Sequence, residues 1–261
     1  MPNYSFSILP YGFIGISLMM LALWIYQCHK DDASFVDIGW AMGIALLTYY
    51  YTVFGQGNLY RGFIVCILTF IWSLRLSVHL FKRHKPGEED RRYASLRKSW
   101  GNNARRNFFA LYVCQTILAC IFSLPAFLST GNTYPLGLVD GIGIIIWLIA
   151  IIGESLADAQ LNRFKSNINN LGKTCMTGLW RYSRHPNYFF EWLYWFSFIP
   201  WSLQYGWGWL SLCAPFIMLY LLVKVTGIPY AEELAINKRG DQYRNYQKTT
   251  NAFFPWFPQK V

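Results

Sequence analysis

Long apolar runs, separated by polar segments rich in Lys and Arg, make up most of this chain. A helix needs about 20 apolar residues to cross a bilayer. Runs near that length fall at 6–28, 36–56, 59–81, 107–128, 136–157, 187–204 and 208–228. The pattern predicts an all-α bundle with about seven transmembrane helices. Because the second run opens with Asp37 and the sixth is short, six or eight spans stay open as alternatives.

The composition agrees with a membrane protein. Of the 261 residues, 54% are hydrophobic and 14% are charged, and the mean hydropathy is +0.22. Soluble chains carry about 25% charged residues. These values exclude a disordered or fibrous chain and are too apolar for most soluble enzymes.

The positions of the cations predict the orientation. Nineteen of the 23 Lys and Arg residues lie in 82–106, 158–186 and 229–261. With seven helices these segments share one side of the membrane, and the positive-inside rule makes that side cytoplasmic and the amino terminus external. The first 30 residues lack a basic n-region and a signal-cleavage site, which predicts a retained anchor. Without repeats or linkers, 1–261 is predicted to be one integral membrane domain.

Several chemistries are not indicated by the sequence. The six cysteines form no C-x-x-C pair, so neither a metal site nor a disulfide framework is predicted. No Gly-rich nucleotide loop, P-loop, H-E-x-x-H or G-x-S-x-G motif is present. Anionic lipid accounts for the basic loops, so nucleic-acid binding is disfavoured. The sequence does not indicate an oligomeric state.

Ionisable side chains within or beside the apolar runs cost at least a few kcal/mol near mid-bilayer and therefore need an explanation. Lys224 can snorkel to the membrane surface. The others are predicted to converge on one cavity, and Trp72, Arg75 and His79 share a helical face. An alternative interpretation makes Arg75 and Glu154 a structural ion pair. The complete set is Asp37, Arg75, His79, Glu154, Asp158, Glu191 and Lys224.

The densest polar motif runs from Gly178 to Trp195. Pro186 suits the first turn of a helix, so a helix is predicted to begin there. Its amino terminus, surrounded by Arg181, Arg184 and His185, is predicted to bind phosphate or carboxylate. The residues Asn187, Glu191 and Trp195 then form one stripe at intervals of four. The alternative is a lipid-headgroup patch with an aromatic belt.

The segments that flank this motif carry weaker signals. In the tail, Tyr243 and Tyr246 share a face and either close over a ligand or are ordinary interfacial tyrosines. The loop that contains Glu88-Glu89-Asp90-Arg91-Arg92-Tyr93 is predicted to be a solvated, lipid-facing basic surface.

Six short motifs resemble one known family, the steroid 5α-reductase-like membrane proteins, which share a superfamily with isoprenylcysteine carboxyl methyltransferases. The similarity is strongest to a largely uncharacterised, mostly bacterial branch. It covers the chain from about residue 37 to the end and is most specific over 178–195. The motifs are Asp37-Ile-Gly-Trp40; Trp72-x-x-Arg75-Leu with His79; Glu89-Asp90-x-Arg92-Tyr93; the block from Gly178 to Tyr188 with Glu191; Gly227-Ile-Pro229 with Glu232-Glu233; and Tyr243-x-x-Tyr246 through Asn251-Ala-Phe-Phe-Pro255.

This resemblance implies a seven-helix, multi-pass membrane protein, in a bacterial inner membrane rather than the endoplasmic reticulum. It implies that NADPH reduces a carbon–carbon double bond conjugated to a carbonyl in a lipid, isoprenoid or steroid-like substrate. Asp37 matches the acidic member of a catalytic pair that polarises the carbonyl. Trp72 stands where the reductases carry a tyrosine, and an indole N–H can hydrogen-bond an oxygen but cannot give up its proton as a phenol can.

The same matching implies cofactor contacts, with Arg75 and Lys173 near phosphate and Asn187 with Glu191 near the carboxamide or ribose. Together with the motif analysis, the full predicted cofactor-binding set is Arg75, Asp158, Lys173, Arg181, Arg184, His185, Asn187, Tyr188, Glu191, Trp195, Tyr243 and Tyr246.

Two other functions stay open. The R-H-P-x-Y motif and the Y-x-x-Y tail also resemble the methyltransferases that use S-adenosylmethionine. NADPH carries three phosphates and suits the clustered cations better than S-adenosylmethionine, with its one carboxylate and cationic sulfonium. The third possibility is a non-catalytic lipid-binding or transport protein whose charged face organises the helices.

Overall fold

A computed structural model of the chain describes residues 6–84, 87–203 and 206–259. A few positions of the predicted segments lie outside the described residues: 85–86 in the loop 82–106, 204 in the sixth apolar run, and 260–261 in the tail.

The protein is all-α, which confirms the predicted class. Several short 3₁₀ turns connect the α-helices, and Leu221–Val225 forms a π-helical turn. Within the described residues the α-helices are α1 (Leu9–Lys30), α2 (Val36–Phe54), α3 (Leu59–Arg83), α4 (Arg91–Trp100), α5 (Ala104–Thr130), α6 (Leu138–Ser166), α7 (Pro186–Phe196), α8 (Phe198–Leu203), α9 (Cys213–Tyr220), α10 (Ile228–Arg239) and α11 (Asp241–Thr249).

Five helical segments of the described chain are long and apolar enough to cross a membrane, which supports an integral, multi-pass membrane protein. They are Phe6–Lys30, Leu59–Arg83, Arg91–Thr130, Leu138–Ser166 and Gly206–Arg239. The predicted run 36–56 forms the 19-residue helix α2, which is not among the five. The run 187–204 is divided between α7 and α8 at Ser197.

The chain divides into two compact units. Unit 1 comprises Met1–Gly137 and Trp201–Ser211, and in it α2 packs against α3 and α5 around the buried side chains of Ile44, Trp72 and Phe122. Unit 2 comprises Leu138–Pro200 and Leu212–Val261, and its main packing joins α6 to α7. The single domain predicted for 1–261 stays a prediction.

One buried cation of unit 1 was not singled out by the sequence analysis. Arg61 lies in the first turn of α3 and is only 1% exposed. Its guanidinium donates to the carbonyl oxygens of Asn132 (3.1 Å), Tyr134 (3.0 Å) and Pro135 (3.2 Å). These carbonyls follow the end of α5, so Arg61 joins the beginning of one helix to the segment that leaves another.

Candidate functional site

In unit 1, the predicted catalytic residue Asp37 lies in the first turn of α2 and is held by two side chains from α4. The Tyr93 hydroxyl donates to Asp37 Oδ1 at 2.8 Å. Arg92 Nη2 donates to Asp37 Oδ2 and also contacts the Tyr93 hydroxyl. Tyr93 is buried, whereas about a quarter of the Asp37 side chain and 30% of the Arg92 side chain are exposed. The three residues form a carboxylate–guanidinium–phenol group that faces an accessible surface.

Polar contacts with the α1–α2 turn fix α4 in this position. Asp90 caps α4 by accepting from the Arg92 backbone N–H, and its own N–H donates to Ser34 Oγ at 2.7 Å. Glu89 accepts from the Ala33 backbone N–H at 2.8 Å and binds the Arg97 guanidinium through both carboxylate oxygens. The loop around Glu89 and Arg92 was predicted to be a solvated basic surface. That interpretation was wrong for these residues, because their charges are compensated within unit 1.

The second predicted catalytic residue, Trp72, lies in an aromatic cluster. Its side chain is fully buried and meets Trp40 edge-to-face at 5.9 Å, and Trp40 in turn meets Phe122 at 5.5 Å. Arg75 and His79 follow on α3 and are each partly buried. The phenol that hydrogen-bonds Asp37 comes from Tyr93, 56 residues further along the chain. The sequence analysis did not select Tyr93 as a catalytic residue. The signal that could have found it was the Glu89-Asp90-x-Arg92-Tyr93 motif.

In unit 2, a row of polar side chains follows the contact between α6 and α7. Asn187 Nδ2 donates to Asp158 Oδ1 at 3.2 Å. Glu154 on α6 and Glu191 on α7 are both buried. The helices approach closely because α6 carries a glycine at 153, where a Cβ would lie 2.4 Å from the Phe190 ring. The predicted polar stripe of α7 thus meets α6 at Asp158, and we call the row of Glu154, Asp158, Asn187 and Glu191 the α6/α7 seam.

The start of α7 is confirmed at Pro186, which occupies its first turn. The cations that precede it have an acidic partner from α10. Glu232 Oε1 accepts from Arg184 Nε at 2.6 Å and lies 3.2 Å from His185 Nε2. Burial lowers the pKa of His185 below its ordinary value, although Glu232 opposes this shift. Arg184 is the cation that compensates Glu232.

Arg184 and the tail tyrosines also hold the carboxy-terminal segment in place. Arg184 Nη1 donates to the Gln247 carbonyl at 3.1 Å. Tyr246 donates to the carbonyls of Trp180 and Ser183, and Tyr243 donates to Glu232 at 3.4 Å. Burial raises the pKa of both tyrosines. Their predicted role of closing over a ligand stays a prediction, and the contacts described are internal to unit 2.

The remaining predicted cofactor residues differ in exposure. Lys173 and Arg181 are exposed to solvent. Tyr188 stacks on His185 with ring centroids 5.3 Å apart, and Trp195 is fully buried. No group of three or more His, Cys, Asp or Glu side chains in the described part of the chain is placed to hold a metal ion.

Comparisons with known proteins identify the family of the chain. No solved structure matches it. An uncharacterized protein of Schizosaccharomyces pombe is 25% identical over an alignment of 283 positions, which covers 93% of this chain and 79% of the yeast protein. A family profile described as "Protein of unknown function (DUF1295)" matches residues 23–250. The chain therefore belongs to the DUF1295 family of membrane proteins.

Proposed function

We propose that this protein is a membrane-embedded, NAD(P)H-dependent reductase of the steroid 5α-reductase-like kind. Its substrate is a lipid, isoprenoid or steroid-like molecule in which a carbon–carbon double bond is conjugated to a carbonyl. The observation that carries the proposal is the Asp37–Arg92–Tyr93 group, which combines a phenol and a partly exposed guanidinium on one carboxylate.

This group suits the charge that enone reduction creates. Negative charge develops on the carbonyl oxygen, and hydrogen-bond donors fixed in advance stabilise it. A guanidinium has five N–H donors, and the contacts described above use only Nη2 of Arg92. In the proposal, Arg92 donates to the substrate carbonyl, Asp37 and Tyr93 keep the guanidinium in position, and water supplies the proton that the α-carbon gains.

The α6/α7 seam has the side-chain types that suit a dinucleotide. Asp158 and Glu191 can accept from ribose hydroxyls, and the Asn187 amide can both donate to and accept from a carboxamide. The exposed cations Lys173 and Arg181 suit the phosphates. When bound, the nicotinamide supplies a hydride to the β-carbon while the α-carbon gains a proton, so the double bond is reduced and the cofactor oxidised.

Contacts already made within unit 2 favour another role for some of the predicted cofactor residues. Arg184 and His185 lie against Glu232, and Tyr243 and Tyr246 donate to neighbouring groups of the same unit. We therefore assign these four residues to holding the tail and leave phosphate binding to the exposed cations.

The proposal includes a seven-span topology. Besides the five long segments, α2 and the α7–α8 pair supply the two shorter spans. The concentration of cations in 82–106, 158–186 and 229–261 supports a cytoplasmic position for these segments and an external amino terminus.

A methyltransferase that uses S-adenosylmethionine is the second candidate. The buried carboxylates Glu154 and Glu191 favour it, because a sulfonium cation gains energy beside a carboxylate in a medium of low dielectric constant. Methyl transfer to a carboxylate needs no acid that stabilises an enolate, so this candidate leaves the Asp37–Arg92–Tyr93 group without a chemical role.

Calorimetric titration of the purified protein with NADPH and with S-adenosylmethionine distinguishes the two candidates. We expect NADPH to bind and Asn187→Ala to weaken that binding by about tenfold, the cost of one hydrogen bond with its partner left unsatisfied. The control is Asn169→Ala, which removes an exposed amide from the same unit. Binding of S-adenosylmethionine alone, or equal NADPH affinity in both variants, would contradict the assignment.

A further inference from the structure

The segment that follows α11 has a fixed backbone although it lies at the surface. Its carbonyls and N–H groups are bound by the segment that precedes α7. Arg184 N donates to the Asn251 carbonyl (2.9 Å), Ser183 Oγ to the Phe253 carbonyl (2.8 Å), and Trp256 N to the Tyr182 carbonyl (2.9 Å). The family match ends at residue 250, immediately before this segment.

One aromatic ring of the segment anchors it, and three others point outward. Phe253 is buried and packs edge-to-face against Trp192 at 5.6 Å. Phe254, Trp256 and Phe257 are 53%, 67% and 74% exposed. Exposed aromatic side chains of this size, carried on a bonded backbone, are of the kind that marks a contact with lipid or with a partner. We call them the aromatic platform.

A polar cavity of about 170 Å³ adjoins the platform, because Phe257 is part of its lining. Arg184 and Lys248 are its two cationic lining residues, and Thr249 and Thr250, which follow Lys248 in the sequence, also line it. No carboxylate lines the cavity among the residues that the structure describes. Since Glu232 compensates Arg184, Lys248 adds the net positive charge.

We propose that the aromatic platform inserts into the interfacial layer of the bilayer and that the adjoining cavity binds the phosphate of an anionic phospholipid. Tryptophan and phenylalanine side chains are favoured at the level of the lipid headgroups. A lysine near the membrane surface attracts an anionic headgroup and donates to its phosphate oxygens. The combination of an apolar platform with a cationic, carboxylate-free cavity matches the two parts of a lipid.

Native mass spectrometry of the full-length protein, titrated with phosphatidylglycerol or phosphatidylcholine of identical acyl chains, tests this proposal. We expect the wild-type protein to retain phosphatidylglycerol preferentially. Lys248→Gln should lower that preference by about fivefold, the attraction of one surface lysine for anionic lipid. Lys248→Arg should keep it, and the double substitution of Trp256 and Phe257 by Ala should lower retention of both lipids.

The matched control is Lys30→Gln, which removes an exposed cation of unit 1 outside the three basic segments and should leave the preference unchanged. A Lys248→Gln protein with the wild-type lipid preference would overturn the proposal. Unchanged retention of both lipids by the double variant would also overturn it. So would binding of inorganic phosphate to the cavity with the same affinity as phosphatidylglycerol. The last result would identify a soluble phosphate as the ligand.

Discussion

Replacing Tyr93 with Phe is expected to lower the rate of double-bond reduction by about 10²–10³-fold while the fold is retained. The change removes the hydroxyl that donates to Asp37 Oδ1 at 2.8 Å and contacts Arg92, but keeps the buried ring. Arg92 then loses one of the two groups that position it at the substrate carbonyl. The measurement is NADPH consumption with the most rapidly reduced member of a panel of steroid and isoprenoid enones.

Tyr51→Phe is the matched control for this experiment. Tyr51 is also buried in unit 1, and its hydroxyl contacts Ser123 Oγ at 3.2 Å near the other end of α2. Its loss should change the rate by no more than about twofold, the effect of a hydroxyl remote from the chemistry. Equal rates of double-bond reduction in the Tyr93 and Tyr51 variants would show that Tyr93 has no role in the reaction. The Asp37–Arg92–Tyr93 group would then be a structural ion pair.

Replacing Arg61 with Met is expected to cause the largest loss of stability, about 3 kcal/mol or roughly 10 °C in Tm. Arg61 is almost completely buried, and its guanidinium is a donor to three backbone carbonyls beyond the end of α5. Methionine fills much of the volume but donates nothing, so each carbonyl loses a hydrogen bond that is difficult to replace inside the protein. Thermal unfolding of the detergent-purified protein, followed by tryptophan fluorescence, measures the change.

Arg61→Lys should give an intermediate loss, because one ammonium group cannot reproduce the planar fork of a guanidinium. Arg106→Met, at an exposed position near the start of α5, should be nearly neutral. If Arg61→Met and Arg106→Met unfold at the same temperature, the bonds of Arg61 do not stabilise the junction between α3 and α5.

Hydropathy and local turn chemistry predicted the class and much of the helix layout. The apolar runs 6–28, 59–81 and 107–128 fall within long helical segments, the run 136–157 begins two residues before α6, and Pro186 begins α7 as expected. These features depend on residues close together in the sequence. The last run, 208–228, was predicted less well. It contains 3₁₀, α-helical and π-helical segments, and the number of apolar residues does not distinguish these kinds of helix.

The composition of the candidate site was harder to predict, because it depends on contacts between distant residues. Asp37 and Tyr93 are 56 positions apart and meet because Glu89 and Asp90 bind the α1–α2 turn. The motif around Pro186 predicted that Arg184 binds an anion, but only the structure shows that this anion is a protein carboxylate, Glu232. By contrast, the stripe from Asn187 to Glu191 followed from helical periodicity alone.

The reductase proposal is tested most directly by isotope transfer. The protein is placed in lipid nanodiscs that contain an extract of its own membranes. Separate samples are incubated with NADPH deuterated at one or the other hydride position of the nicotinamide, and a parallel sample with methyl-labelled S-adenosylmethionine. We expect one lipid species to gain a single deuterium from only one of the two NADPH isotopomers. The Tyr93→Phe variant should abolish this gain. Transfer of a labelled methyl group with no deuterium in any lipid would contradict it.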